Sequence, residues 1–312
     1  MTALDERADP VVDTVKASER SAAPAPEARS RPLVPRGRGL TTWVLVSVSV
    51  LGLWGVLYAL VLSGLQESHT QARSYATFRE LLAEQKAPLG GQVAPGKPVA
   101  LLNAPELGLS DLVVSEGTAS GDLKRGPGHR RETVLPGQAG TSVVYGRSTL
   151  FGGPFKDIRD ARPGDTITVL TGQGTSTYAV TGVRRVGDPL PAPLAEGGAR
   201  LVLVTATGAT AGNGFQPKGP LYVDATLKGT ALPAPGGLLA AVPTSENAMQ
   251  GDSGGLITLV LWLQLLLIAA GGLTWAASRW GAWQVYLVGA PAVLAGLWGA
   301  SQTAVELLPN LM

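Results

Sequence analysis

The sequence predicts a mainly β domain, a barrel or a sandwich, outside the membrane, joined to three transmembrane α-helices. Three observations predict it. Between residues 97 and 228, short β-branched and apolar runs alternate with turns rich in Gly and Pro. Three uncharged apolar windows each reach the length of about 20 residues that a bilayer requires. Charged residues make up only 15% of the chain, against roughly 25% in ordinary soluble domains.

Residues 1–40, rich in Ala, Pro, Ser, Glu and Arg without apolar periodicity, are expected to form a disordered cytoplasmic tail. The first span, 41–65, is longer than the apolar core of a signal peptide and lacks a convincing cleavage site, so it stays as an anchor. Arg29, Arg31, Arg36 and Arg38 crowd its N-terminal side, which places the N-terminus in the cytoplasm. Residues 66–252 and the C-terminus are then extracytoplasmic, and the turn carrying Arg279 is inside. In 66–96, Tyr75, Phe78, Leu81 and Leu82 fall mostly at helical spacing before a Pro- and Gly-rich stretch. This reads as a stalk helix and linker lifting the next domain off the membrane.

Strands are predicted at 99–102, 112–115, 142–145, 166–171, 177–186, 200–205 and 221–226, which reads as an all-β barrel or sandwich over 97–230. Residues 231–254 form a linker back to two further spans, 255–278 and 283–305. Four of Trp262, Trp275, Trp280, Trp283 and Trp298 sit near the expected boundaries, where indole rings collect, which favours spans over a buried soluble hairpin. Small residues at 269–272 are expected to face Gly289, Ala295, Gly296, Gly299 and Ala300, in a tight hairpin packed on the first span or on a membrane protein partner; ordinary Ala-rich composition explains them as well. Gln264 is the one strongly polar residue deep in the second span.

Composition excludes several chemistries. A net charge of +2 without a basic stripe gives no nucleic-acid signature. The chain has no cysteine, which removes disulfides, thiolate catalysis and cysteine-metal sites. His69 and His129 lie far apart, so no metal site is expected, and nothing calls for a cofactor.

The segments LKRGPGH (123–129), TVLPGQAG (133–140), GGPF (152–155), PGD (163–165), TYAV (177–180) and ARLVLVT (199–205) occur in the order and spacing of sortases. With PVALL (98–102) and ELGL (106–109) they most resemble the actinobacterial class E branch of that family, over about 97–228. The resemblance implies an extracytoplasmic barrel and a cysteine transpeptidase. In such an enzyme the cysteine attacks the Thr–Gly carbonyl of a sorting signal such as Leu-Pro-x-Thr-Gly, a histidine handles protons and an arginine steadies the oxyanion or peptide.

Here Ala206 stands where the strand motif ends in cysteine, Arg147 falls on the histidine, and Gly219, beside Lys218, falls on the arginine. A methyl group is no nucleophile, and an arginine does not shuttle protons near neutral pH. The resemblance therefore implies a fold retained with its three catalytic positions replaced. Arg147 and Lys218, with Thr205, Ala206 and Thr207, become candidates for a binding face, Arg147 favouring an acidic ligand. His129 is a candidate substitute base or ligand-binding residue, though a loop histidine lining the groove entrance fits it better.

The leading expectation is a pseudoenzyme binding a surface-protein sorting peptide, a cell-wall component or a membrane partner. One alternative is a transpeptidase or hydrolase using Thr205 or Thr207, whose hydroxyls lack a visible base. Another is a structural subunit of a membrane complex. The pentapeptide GDSGG (251–255) matches the nucleophile signature of chymotrypsin-like proteases. It borders a span with no upstream catalytic partners, and reads as a juxtamembrane turn.

Overall fold

The computed structural model describes residues 36–208, 216–279 and 282–312. The chain divides into two compact units, Met1–Ser49 and Val50–Met312. Of the first, the described part is the opening of helix α1; the second holds the barrel and the remaining helices.

Helix α1 (Arg36–Leu57) continues through a π-helical turn, Tyr58–Leu62, into α2 (Ser63–Ala83). The expected disordered tail thus ends in helix at its last five residues, and the rest of it lies outside the described residues. Helices α3 (Gly255–Ala277) and α4 (Ala282–Glu306) follow the barrel. Three helical stretches are long and apolar enough to cross a membrane, Leu45–Ala83, Gly255–Ala277 and Trp283–Glu306.

The hairpin packs large residues of α3 into notches of α4. The place of a side chain at Gly289 is filled by Leu273, that at Gly296 by Leu266 and that at Gly299 by Trp262. The small residues of the two spans do not face each other as expected, because Gly271 and Gly272 have no neighbour at that place.

Eight strands close into a barrel: β1 (Pro98–Ala104), β2 (Leu109–Glu116), β3 (Gly128–His129), β4 (Gly140–Tyr145), β5 (Thr166–Thr171), β6 (Gly174–Arg185), β7 (Ala199–Thr207) and β8 (Gly219–Lys228). Their order is β1-β2-β3-β4-β7-β8-β6-β5, with β5 returning to β1. The pairs β2–β3 and β4–β7 are parallel and the others antiparallel. Closure removes sheet edges that would otherwise seek partners. Inward-facing side chains such as Leu102, Ile167, Val169, Tyr178, Leu201, Leu203 and Val223 make the core.

Two expected connectors differ. The stalk does not lift the barrel away, because α2 lies against it. The amide of Gln71 gives the β2 backbone both a donor and an acceptor. It takes a bond from Val113 N–H (2.9 Å) and donates to the carbonyls of Val113 (3.1 Å) and Arg125 (2.7 Å), while Phe78 is fully buried. Nor is 231–254 a free linker. Leu232 bonds to Gly137 and Ala139, and Glu246 is buried and paired with Arg131.

Candidate functional site

The strand register brings the three singled-out positions to one end of the barrel. Tyr145 of β4 pairs with Val204 of the parallel β7, so the two chains leave the sheet side by side toward Arg147 and Ala206. On the other side of β7, Ala206 pairs with Pro220 and Thr207 with Gly219. Gly146 is required between them. A side chain there would meet the Phe155 ring at 2.3 Å, while its N–H donates to Val204 O at 2.9 Å.

Strand alternation sorts the β7 residues onto two faces. Leu201 and Leu203 enter the barrel core, whereas Val202, Val204 and Ala206 face outward and pack with Leu123, Tyr145 and Leu311. That outer face of β4 and β7 is a groove, and two segments of the chain itself fill it.

The first segment precedes α3. Thr118 Oγ1 donates to Glu246 O (2.8 Å), Arg131 pairs with the Glu246 carboxylate, Arg130 Nη2 donates to Asn247 Oδ1 (3.1 Å), and Ala248 and Met249 pack on the groove floor. The second follows α4. Asn310 Nδ2 donates to Thr118 O (2.8 Å) and Asn247 O (3.0 Å), and Ser148 N–H donates to Leu311 O (2.9 Å). Lys124 ties the same region to the end of α4, at 2.6 Å from both Gln302 O and Glu306 Oε1. Its burial lowers the ammonium pKa, and the Glu306 carboxylate offsets part of that shift.

Arg147 is the centre of this arrangement and no part of it meets solvent. Nε donates to Leu123 O (3.3 Å), Nη1 to Met312 O (3.2 Å), and Nη2 to Ser120 O (2.7 Å) and Ser120 Oγ (2.9 Å), while the guanidinium lies 5.2 Å from the Phe151 ring centre. Burial pushes its pKa down to about 9, so it stays cationic at neutral pH. A guanidinium so engaged cannot receive an acidic ligand, which corrects the expectation placed on Arg147. It clamps the segment after α4 to the barrel.

His129 is likewise interior. It is 1% exposed, with Nδ1 3.0 Å from Glu116 Oε2 and Nε2 2.9 Å from Val134 O. Both ring nitrogens face acceptors inside the fold, so the residue joins β3 to its neighbours and does not open on the groove. Thr207 Oγ1 donates to Gly219 O at 3.0 Å, as a strand-end bond. Lys218 is exposed, and its N–H donates to Thr207 O. The GDSGG turn bonds to the end of α4, Asp252 N–H donating to Glu306 O (2.8 Å).

One open pocket of about 380 Å³ remains beside Ala206. Thr205 and Ala206 line it, together with Lys156, Arg159 and Arg185. The Thr205 hydroxyl is buried there without a hydrogen-bond partner. Neither a histidine nor a carboxylate lines the pocket. Sequence reasoning missed these three cations, two in the β4–β5 connection and one at the end of β6, and the groove-filling segments. The one local signal was the short uncharged stretch after Glu306, apolar but too short to be a span.

Comparison with known proteins decides what the barrel is. Residues 102–216 match the sortase domain. A curated relative, sortase D of Bacillus subtilis (strain 168), is 29% identical over 119 residues, 38% of this chain and 51% of the relative. The chain therefore spans about half the length of that curated relative. Among solved structures, a Clostridium perfringens sortase D5 transpeptidase is 21% identical with a TM-score of 0.43, covering 52% of this chain and 99% of the other. Sortase E from Streptomyces avermitilis is 29% identical with a TM-score of 0.35, covering 50% of this chain and 100% of the other. The eight-stranded barrel is that of the sortase fold, here accompanied by three helices suited to a membrane.

Proposed function

We propose that this chain is a membrane-anchored sortase-like protein without transpeptidase chemistry, working as a binding and structural module on the extracytoplasmic side. The observation that carries the reading is Ala206, next to last in β7 in a chain without cysteine, which shares a buried cluster with Leu311 of the chain's own groove-filling segment. Nothing at that position can form an acyl-enzyme. The N-terminus is read as cytoplasmic, and residues 66–252 and the C-terminus as extracytoplasmic, from the arginines before the first span. A sorting peptide or cell-wall component remains the ligand class that the fold resemblance suggests. It would have to displace residues 243–250 or 307–312, or bind at the open pocket. The contacts between barrel and hairpin ends also favour a structural role, with α3 and α4 offering a surface to a membrane partner.

The test is transfer chemistry. Purified full chain, incubated with a Leu-Pro-x-Thr-Gly peptide and an amine acceptor, is expected to give neither cleavage nor transfer above a no-protein control. Turnover that disappears on Thr205→Val or Thr207→Val would establish the threonine alternative and overturn the proposal.

A further inference from the structure

The pocket beside Ala206 and a second, apolar cleft share no lining residue, but one loop contributes neighbouring residues to each. The cleft, about 780 Å³, is lined by Gly52, Gly55 and Val56 of α1, by Ala59 of the π-helical turn, by Leu150 and Pro217, and by the segment from Val305 to Met312. Side-chain positions at Gly52 and Gly55 face open space, so the two glycines leave an unfilled notch in an otherwise bulky apolar helix. The loop carrying Ser148 and Thr149 of the pocket continues directly into Leu150 of the cleft. On the opposite wall, Gly208 of the pocket lies against Gln216 of the cleft. The shared loop rests where α1 gives way to α2, with Phe151 N–H donating to Ser63 Oγ (3.1 Å). A positively charged cavity thus adjoins an apolar one at the end of a membrane-suited helix.

Charge and hydrogen bonding specify the polar end. Lys156 and Arg185 form no ion pair among the described residues, and Arg159 stands 3.9 Å from Asp160, a contact too long for a strong bond. The lining thus carries three cations and no carboxylate, with Asp188 nearby accepting the Arg185 backbone N–H at 2.7 Å. Thr205, 2% exposed, adds a buried hydroxyl donor without a partner to the lining, and leaving such a group unsatisfied costs free energy. The complement is an anionic, multiply accepting group. A phosphate supplies both properties, and an attached acyl chain suits the cleft.

We propose that the two cavities hold one phosphate-bearing membrane lipid, its phosphate among Lys156, Arg159, Arg185 and Thr205 and its acyl chain along Gly52 and Gly55. This goes beyond the loss of transfer chemistry and does not depend on it, since neither cavity requires a nucleophile.

The test uses the full chain with Thr207→Cys, which puts the only thiol of the protein on the pocket wall. Its reaction with uncharged N-ethylmaleimide is timed in phosphatidylcholine vesicles, in vesicles containing phosphatidylglycerol, and in phosphatidylcholine with inorganic phosphate. Phosphatidylglycerol is expected to slow labelling several-fold and inorganic phosphate much less. Lys156→Gln with Arg185→Gln is expected to weaken that protection roughly tenfold or more, each cation near an anionic headgroup contributing about fivefold. Lys156→Arg is expected to preserve it, which separates charge from folding. Gly55→Leu, which fills the notch, is expected to abolish the lipid effect alone. Equal labelling in the two vesicle types would overturn the proposal. Equal protection by inorganic phosphate would also overturn it, leaving a site for free anions. Protection that survives both charge removals would do the same.

Discussion

Arg147→Ala is expected to lower the stability of the full chain by about 3 kcal/mol, the usual scale for breaking a buried, fully engaged charged group. The argument is one of acceptors. Removing the guanidinium strands the carbonyls of Ser120, Leu123 and Met312 in a site without water access, and leaves a void beside Phe151. Arg147→Lys is expected to recover little, because one ammonium cannot span acceptors distributed around a planar fork. In a thermal melt of detergent-solubilised protein, the loss corresponds to a drop of roughly 10 °C. A melt unchanged by Arg147→Ala would mean that the residue does not clamp the segment after α4.

Restoring the family's side chains is expected to leave the chain inactive. Ala206→Cys, Arg147→His and Gly219→Arg together supply a nucleophile, a proton carrier and a cation at the register positions that adjoin one another on β4, β7 and β8. The groove above them is still filled by Ala248, Met249 and Leu311, so a sorting peptide finds no extended surface. Transfer is expected only when residues 307–312 are also removed, and then far below that of a working transpeptidase, because His in place of Arg147 is not oriented by a partner of its own. Full activity in the triply substituted, otherwise intact chain would show that the groove opens freely.

The barrel was legible in the sequence because its strands carry their own signals. The β5 prediction matches its observed bounds, and β7 shows the uninterrupted apolar run of a strand covered on both faces. Only β3 escaped, since two residues cannot show a period. The adjacency of Arg147, Ala206 and Gly219 was also readable, through the motifs on either side of them. What covers them was not. Asn310 reaches Thr118 across 192 positions and Arg147 reaches Met312 across 165, and contacts at such separation leave no local pattern. Arg147 was misread for the same reason. An arginine after a strand is by default a surface cation, and the carbonyls that bury it come from two distant loops.

A single thiol at position 206 tests the self-filled groove most directly. Ala206 is 6% exposed and shares a buried cluster with Leu311, and the chain has no other thiol once Ala206→Cys is made. The intact protein is expected to react with N-ethylmaleimide far more slowly than the denatured chain, and Leu311→Asp is expected to bring the rate close to the denatured value. Rapid labelling of the intact protein, unaffected by Leu311→Asp, would contradict the account.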